Sequence, residues 1–147
     1  SRGQGARSKE QGARQGRTKI NHKKPINMEY FRFENMDIWK DAISVSEILF
    51  DYSDKAEEKR YYKFAEQLRA ATMSISNNIA EGSGSFSDNE FASFLNISRR
   101  SVFECANILQ IFLHRNIIDA NEKNIIYSQL VVLSKKITNF RKALKTK

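Results

Sequence analysis

Proline occurs once in the 147 residues, at Pro25, and cysteine once, at Cys105. With no proline beyond residue 25 to break it, the chain is free to form long uninterrupted helices. A lone cysteine excludes an intramolecular disulfide and fits a reducing compartment. Only Gly82 and Gly84 remain after the first 27 residues, which hold the other four glycines. No apolar run approaches the roughly 20 residues needed to span a bilayer, and the basic N-terminus lacks the apolar stretch of a secretory signal. These absences lead us to expect a cytoplasmic helical protein without a membrane partner.

Acid is also missing where base is plentiful. Residues 1–27 carry eight Lys/Arg against Glu10 alone, and residues 123–147 carry six Lys and Arg141 with no acid. The segment between them has ten basic and sixteen acidic residues. The net charge of +8 therefore describes two basic ends on an acidic body. The first end repeats QGAR and shows no apolar periodicity. It reads as a basic low-complexity tail over residues 1–27, with Met28 as a candidate initiator, or else as a flexible nucleic-acid-binding arm. Residues 28–147 form the expected domain, with 40% hydrophobic residues overall, enough to build a core.

Helical spacing recurs four times in that domain. The first segment, about 35–52, places Trp39, Ala42, Ile43, Ser46, Leu49 and Phe50 on one stripe. Asp54 and Glu57 have capping-box spacing for a second helix carrying Tyr61, Phe64, Leu68, Ala71, Ile75 and Ile79, with Gly82 as its left-handed stop. Ser87 and Glu90 would cap a third, running to about His114 through Phe91, Phe94, Leu95, Val102, Cys105, Leu109, Phe112 and Leu113. Asp119 and Glu122 would open a fourth, whose Ile126, Leu130, Leu133, Ile137, Phe140 and Leu144 form an a/d seam. Short connections make neighbouring helices antiparallel. The expected fold is all-α, an antiparallel up-down-up-down four-helix bundle. Phe103, Ile108 and Ile111, with Ile125 and Val132, fall off the main stripes. Helices apolar on two sides are usually buried on two sides, so self-association is expected.

The stretch SISNNIAEGSGS, residues 74–85, breaks this apolar pattern. Ser74, Asn78 and Glu81 fall at i, i+4 and i+7, with Asn77 beside them. A structural polar network is expected of these four residues, with Glu81 accepting from the free N–H groups of an adjacent helix N-terminus. Catalysis would need a nucleophile beside a base, and His22 and His114 are both distant in sequence. Gly82 and Gly84 lack the following lysine and preceding strand of a phosphate loop. No Glu-x-x-His pair supplies the metal site of some helical bundles. No catalytic residue, metal or cofactor is expected.

Basic residues remain as binding candidates. Arg99 and Arg100 are adjacent in the third helix, while Lys135, Lys136, Arg141, Lys142 and Lys145 crowd the end of the fourth. Cations there complement the helix dipole, or form a phosphate-binding surface that an oligomer multiplies. Without a base-reading motif or an aromatic stacking platform, such binding would have low sequence selectivity.

FENMDIWKDA followed by QLRAATMSISNNIAEGSGSFSDNEFASFLNISRRSVFE resembles the four-helix-bundle proteins encoded in intervening sequences of bacterial 23S ribosomal RNA genes. The resemblance covers roughly residues 33–144 and is most specific at Ser74-Ile75, at Asn78 through Gly82, at Phe94-Leu95 and at Glu104. It implies a closed homopentamer and a fold related to the basic accessory protein of diversity-generating retroelements. The implied role is a non-catalytic ring near RNA or a reverse transcriptase. Ser76 stands where that family usually has proline or alanine, and Ala70 where it has arginine. Arg100-Ser101 replaces a Gly-Ser pair, so Arg100 must point outward if the close helix contact is to persist. The expected function is a pentameric helical scaffold that binds RNA or DNA through basic surfaces. The alternative is a protein-binding adaptor, for a reverse transcriptase or another protein, without direct nucleic-acid contact.

Overall fold

The computed structural model describes residues 29–146, so the expected tail at 1–27 lies outside the described residues. A single 3-10 turn at Arg32–Asn35 leads into four helices: α1 Asp37–Glu58, α2 Tyr62–Ser83, α3 Asp88–His114 and α4 Ala120–Lys145. Among the described residues there is no strand, and no helix is long and apolar enough to cross a membrane. The fold is an all-α four-helix bundle, in which α1 packs on α2 and α4, and α3 packs on α2 and α4.

One core runs the length of the bundle. Leu49 of α1, Leu68, Ile75 and Ile79 of α2, Leu95, Leu109 and Phe112 of α3, and Ile126, Leu133 and Ile137 of α4 are buried without measurable or with only trace exposure. Burial of each such side chain is worth about 1.5–3 kcal/mol. The α4 seam follows the expected spacing, with Phe140 only partly buried. In α1 the stripe is displaced. Ile38, Val45, Tyr52 and Ala56 join Ala42 and Leu49 in the core, whereas Ile43 is exposed and Trp39 lies at the core's edge. Ile108, expected off the main stripe of α3, is also buried. The long third helix packs against both α2 and α4, so its core-facing sector is wider than a single a/d stripe.

The junction between α1 and α2 departs from the sequence expectation. α1 continues to Glu58 rather than stopping near residue 52, and Asp54 and Glu57 lie inside it instead of capping α2. Their carboxylates both accept from the Arg69 guanidinium, at 2.9 and 2.8 Å. The stop is a left-handed Arg60, φ 67°, in a Schellman motif: Tyr61 N–H donates to Ala56 C=O and Arg60 N–H to Glu57 C=O, each at 2.9 Å. α3 ends the same way. Asn116 has φ 57°, Ile117 N–H donates to Phe112 C=O and Asn116 N–H to Leu113 C=O. Buried Ile117 and Phe112 supply the hydrophobic contact that accompanies this motif.

Gly82, the expected left-handed stop of α2, is helical and buried, and no glycine among the described residues has positive φ. Its role is close approach. A Cβ built there would meet Phe94 Cβ at 2.8 Å and Phe91 Cδ1 at 2.9 Å. The helix starts follow the sequence more closely. Ser87 Oγ accepts from Glu90 N–H at 3.2 Å at the start of α3, and Asp119 with Glu122 forms a complete capping box on α4.

Candidate functional site

The polar stretch of α2 meets α3 as a chain of hydrogen bonds running in one sense. Asn78 Nδ2 donates to Ser74 Oγ at 3.0 Å and to the Ser74 carbonyl at 2.7 Å. The Ser74 and Ser101 hydroxyls lie 2.7 Å apart. Ser101 Oγ donates in turn to the Ile97 carbonyl at 3.1 Å, so Ser74 is the donor between the two hydroxyls. Two further side chains extend the contact. Ser98 Oγ reaches across to the Ile75 carbonyl at 2.8 Å, and Thr72 Oγ1 donates to the Leu68 carbonyl at 2.6 Å beside the Cys105 sulfur. Small hydroxyl side chains let the two backbones approach here, and each hydroxyl proton already has an acceptor.

Asn77 and Glu81 do not join this seam. Both are exposed. Phe91 and Phe94 fill the space against Gly82, and Ser87 already caps α3, so Glu81 is left in solvent rather than accepting from that helix end. Of the four residues singled out by spacing, the structure brings Ser74 and Asn78 together, and it adds Ser98 and Ser101, which the spacing along α2 did not name. A serine at i and i+3 on an otherwise apolar stripe of α3 was the available signal.

Cys105 is fully buried. Burial pushes its thiol up to about 12, only partly offset by its side-chain contact with Thr72. Such a thiol stays protonated at neutral pH and is a poor nucleophile. His114 is exposed, its ring Nδ1 2.8 Å from the Gln110 carbonyl.

The basic positions separate into groups. Lys136 pairs with Asp41 of α1 at 2.7 Å, and its ammonium pKa is raised by that hydrogen bond. Arg141 turns toward α3, its Nε donating to the Ala92 carbonyl at 3.1 Å. Lys135, Lys142 and Lys145 are exposed, and no ion pair holds them among the described residues. With about 100° of rotation per residue, Lys135 and Lys142 fall on nearly the same line of α4, with Lys145 close by. Arg100 is exposed while its neighbour Ser101 is buried, which satisfies the requirement that an arginine there point outward. Arg99 is half-buried, its guanidinium 4.8 Å from the Phe103 ring centre and its Nε shielded without a hydrogen-bond partner.

Exposed apolar side chains lie on the same two helices. Phe103, Ile111, Ile125, Val131 and Val132 are each about half exposed. Val102, Phe103, Ala106, Tyr127, Leu130, Val131 and Ser134 line an apolar groove between α3 and α4, crossed by a hydrogen bond from Tyr127 Oη to the Ala106 carbonyl at 2.9 Å.

Comparison with curated proteins gives no match. The family model described as 23S rRNA-intervening sequence protein matches residues 34–139. That span takes in α1, α2, α3 and most of α4, including the whole Ser/Asn seam and Gly82. The chain therefore belongs to the 23S rRNA-intervening sequence protein family.

Proposed function

We propose that this protein is a non-catalytic helical scaffold that assembles from several copies, with a pentamer favoured, and binds RNA or DNA through its basic surfaces with low sequence selectivity. Its helices run alternately up and down. Supporting this, the contacts Thr72–Cys105, Ser74–Ser101 and Gly82–Phe94 pair rising positions of α2 with falling positions of α3. Tyr127–Ala106 and Arg141–Ala92 do the same for α3 and α4.

The observation that carries nucleic-acid binding is the line of Lys135, Lys142 and Lys145, exposed and without carboxylate partners among the described residues. Phosphates would be the natural counter-charge. Self-assembly is supported by the half-exposed Phe103, Val131 and Val132; closing a ring would cover such a face, and the number five follows the family resemblance. The non-catalytic reading is supported by the Ser/Asn seam, whose hydroxyls are spent on one another and on backbone carbonyls. The adaptor reading has its own support in the apolar α3–α4 groove, which would suit an apolar helix of a protein partner.

The test is a salt titration of binding to one labelled RNA, with assembly followed by light scattering. Wild type should bind with a steep negative salt dependence, and changing Lys135, Lys142 and Lys145 to glutamine should flatten it by about 0.9 per duplex phosphate lost. A wild type that fails to bind at low salt removes nucleic acid as the partner and leaves the adaptor. A monomer at micromolar concentration removes the ring.

A further inference from the structure

Three distant parts of the sequence meet at one end of the bundle. Arg32, in the turn before α1, holds its guanidinium 5.2 Å from the ring centre of Phe91, in the first turn of α3. The Phe91 ring lies 5.5 Å from that of Phe140, and Arg141 is bonded to Ala92. The N-terminal turn, the α2–α3 connection and the last turns of α4 are thereby brought together. Two large aromatics are exposed among them. Phe86, in the α2–α3 connection, is wholly exposed, and Phe31 is 73% exposed.

Phe31 is held in place. Its ring stacks on Phe33 at 5.8 Å with 9° between planes, and Phe33 packs on Trp39 of α1 at 5.1 Å. The backbone N–H of Phe31 donates to Glu34 at 2.8 Å. One ring face is covered and the residue stays largely in water. Exposed single hydrophobes are common on proteins, but the other exposed apolar residues on α3 and α4 are mostly aliphatic and lie along the flanks. At this end they are aromatic and share the end with cations: Arg32, Lys142 and Lys145 are exposed there without ion pairs among the described residues. Asp88 and Glu90 are the opposing charges from α3, and both lie in its first turn, where the helix N-terminus compensates them.

Resting on the nucleic-acid reading above, we propose that this end of the bundle is a site for single-stranded nucleic acid. Phe31 and Phe86 offer stacking faces to unpaired bases, and Arg32, Lys142 and Lys145 hold the phosphates. Rings alongside cations suit an unpaired strand because every base has a face to stack, whereas a duplex buries those faces within its own stack. Phe86 lies five residues before Phe91, at most about 18 Å of extended chain, and Phe91 packs under Arg32, the neighbour of Phe31. Stacking and phosphate contact are common to RNA and DNA, and the site is proposed for the shared chemistry.

The test uses the full chain and fluorescence anisotropy with oligouridylate, oligothymidylate and a duplex, each of about 12 units, within the range of known single-strand site sizes. Wild type is expected to prefer the single strands. Phe31→Ala and Phe86→Ala should each weaken single-strand binding roughly 5- to 100-fold, leaving duplex affinity and the salt slope unchanged. Phe86→Leu, which keeps apolar bulk without a ring, should behave as Phe86→Ala. Tyr62→Ala, an exposed ring in the first turn of α2 at the opposite end of that helix, should have no effect on single-strand affinity. Lys142→Gln with Lys145→Gln should instead lower the single-strand salt slope by about 0.7 per phosphate. Tighter binding to either oligonucleotide supports the site and identifies the strand type it takes. If the double Phe31/Phe86 alanine variant binds the single strands as wild type does, this site is overturned while the general basic-surface reading stands. If wild type binds none of the three probes at low salt, both are overturned.

Discussion

The hydroxyls of Ser74 and Ser101 lie 2.7 Å apart across the α2–α3 contact, linking an amide donor on one helix to a backbone acceptor on the other. Asn78 feeds this link and Ile97 terminates it. Removing a member of a partly buried hydrogen-bonded chain costs about 1–3 kcal/mol when a neighbour loses its partner. Asn78→Ala and Ser101→Ala should each lower the midpoint of urea unfolding accordingly. Glu81→Ala, at an exposed position, should stay within about 0.5 kcal/mol of wild type. A larger effect at Glu81 than at Asn78 would reverse the assignment of the seam.

Gly82 and Gly84 should respond oppositely to alanine. At Gly82 the added methyl would sit 2.8 Å from Phe94 Cβ, the base of a side chain that cannot swing away without moving α3. Overpacking of this kind costs about 1–3 kcal/mol. At Gly84 the nearest atom is the Glu81 carbonyl oxygen at 3.4 Å, with φ −88°. Gly84→Ala should therefore be neutral, or stabilising by up to about 1 kcal/mol through the unfolded chain. Thermal melts of the two variants side by side decide it.

Arg60 and Asn116 both adopt left-handed backbone, φ 67° and 57°. The cost of that conformation for a residue with a Cβ is about 1–2 kcal/mol, smaller for asparagine. Arg60→Gly should raise stability by about 1 kcal/mol less the entropy that glycine adds to the unfolded chain, and Asn116→Gly by less still. Equilibrium denaturation with both variants would show the ordering, and destabilisation by Arg60→Gly would contradict it.

Alkaline pH should destabilise the protein. The Cys105 thiol is pushed from 9.0 to about 12 by burial, so the folded state holds this proton more tightly than the unfolded one. That contribution is complete below pH 9 and is lost between about pH 9 and 12, with a slope of up to about 1.4 kcal/mol per pH unit. Tyr52 moves in the same direction, raised by burial and then by Glu122. Lys55 is raised by its hydrogen bond to Glu122, and its contribution is likewise lost as pH rises through its folded value. Stability measured by urea titration should be flat near neutrality and fall above pH 9. Cys105→Ser should remove the earliest part of that fall. A thiol reagent at pH 8 should leave native Cys105 unmodified and label it only in denaturant.

Periodicity alone was enough to identify four helices and most of their buried faces, because a 3.6-residue repeat of Leu, Ile and Phe is a local property of the chain. Ser87, Asp119 and Glu122 marked helix starts for the same reason, since a cap contacts backbone only two or three residues away. Family membership was also legible, carried by Ser74-Ile75 and the run from Asn78 to Gly82. Where α1 stops, and the left-handed residues that stop α1 and α3, were not. Arg60 and Asn116 take the left-handed position without glycine because buried neighbours such as Ile117 and Phe112 fix the chain there. Gly82 looked like a stop, but its missing side chain makes room for Phe91 and Phe94, residues whose proximity follows only from α3 packing on α2. Likewise Lys136 and Arg141 belong by sequence to one basic cluster, yet Asp41 and the Ala92 carbonyl, 95 and 49 residues away, draw them to opposite sides of α4. The meeting of Phe31, Arg32 and Phe86 with Lys142 and Lys145 at one bundle end has the same origin. Sequence sets what each helix can bury and how it starts, but which charges and rings share a surface depends on helix packing, a sum of contacts between residues far apart in the chain.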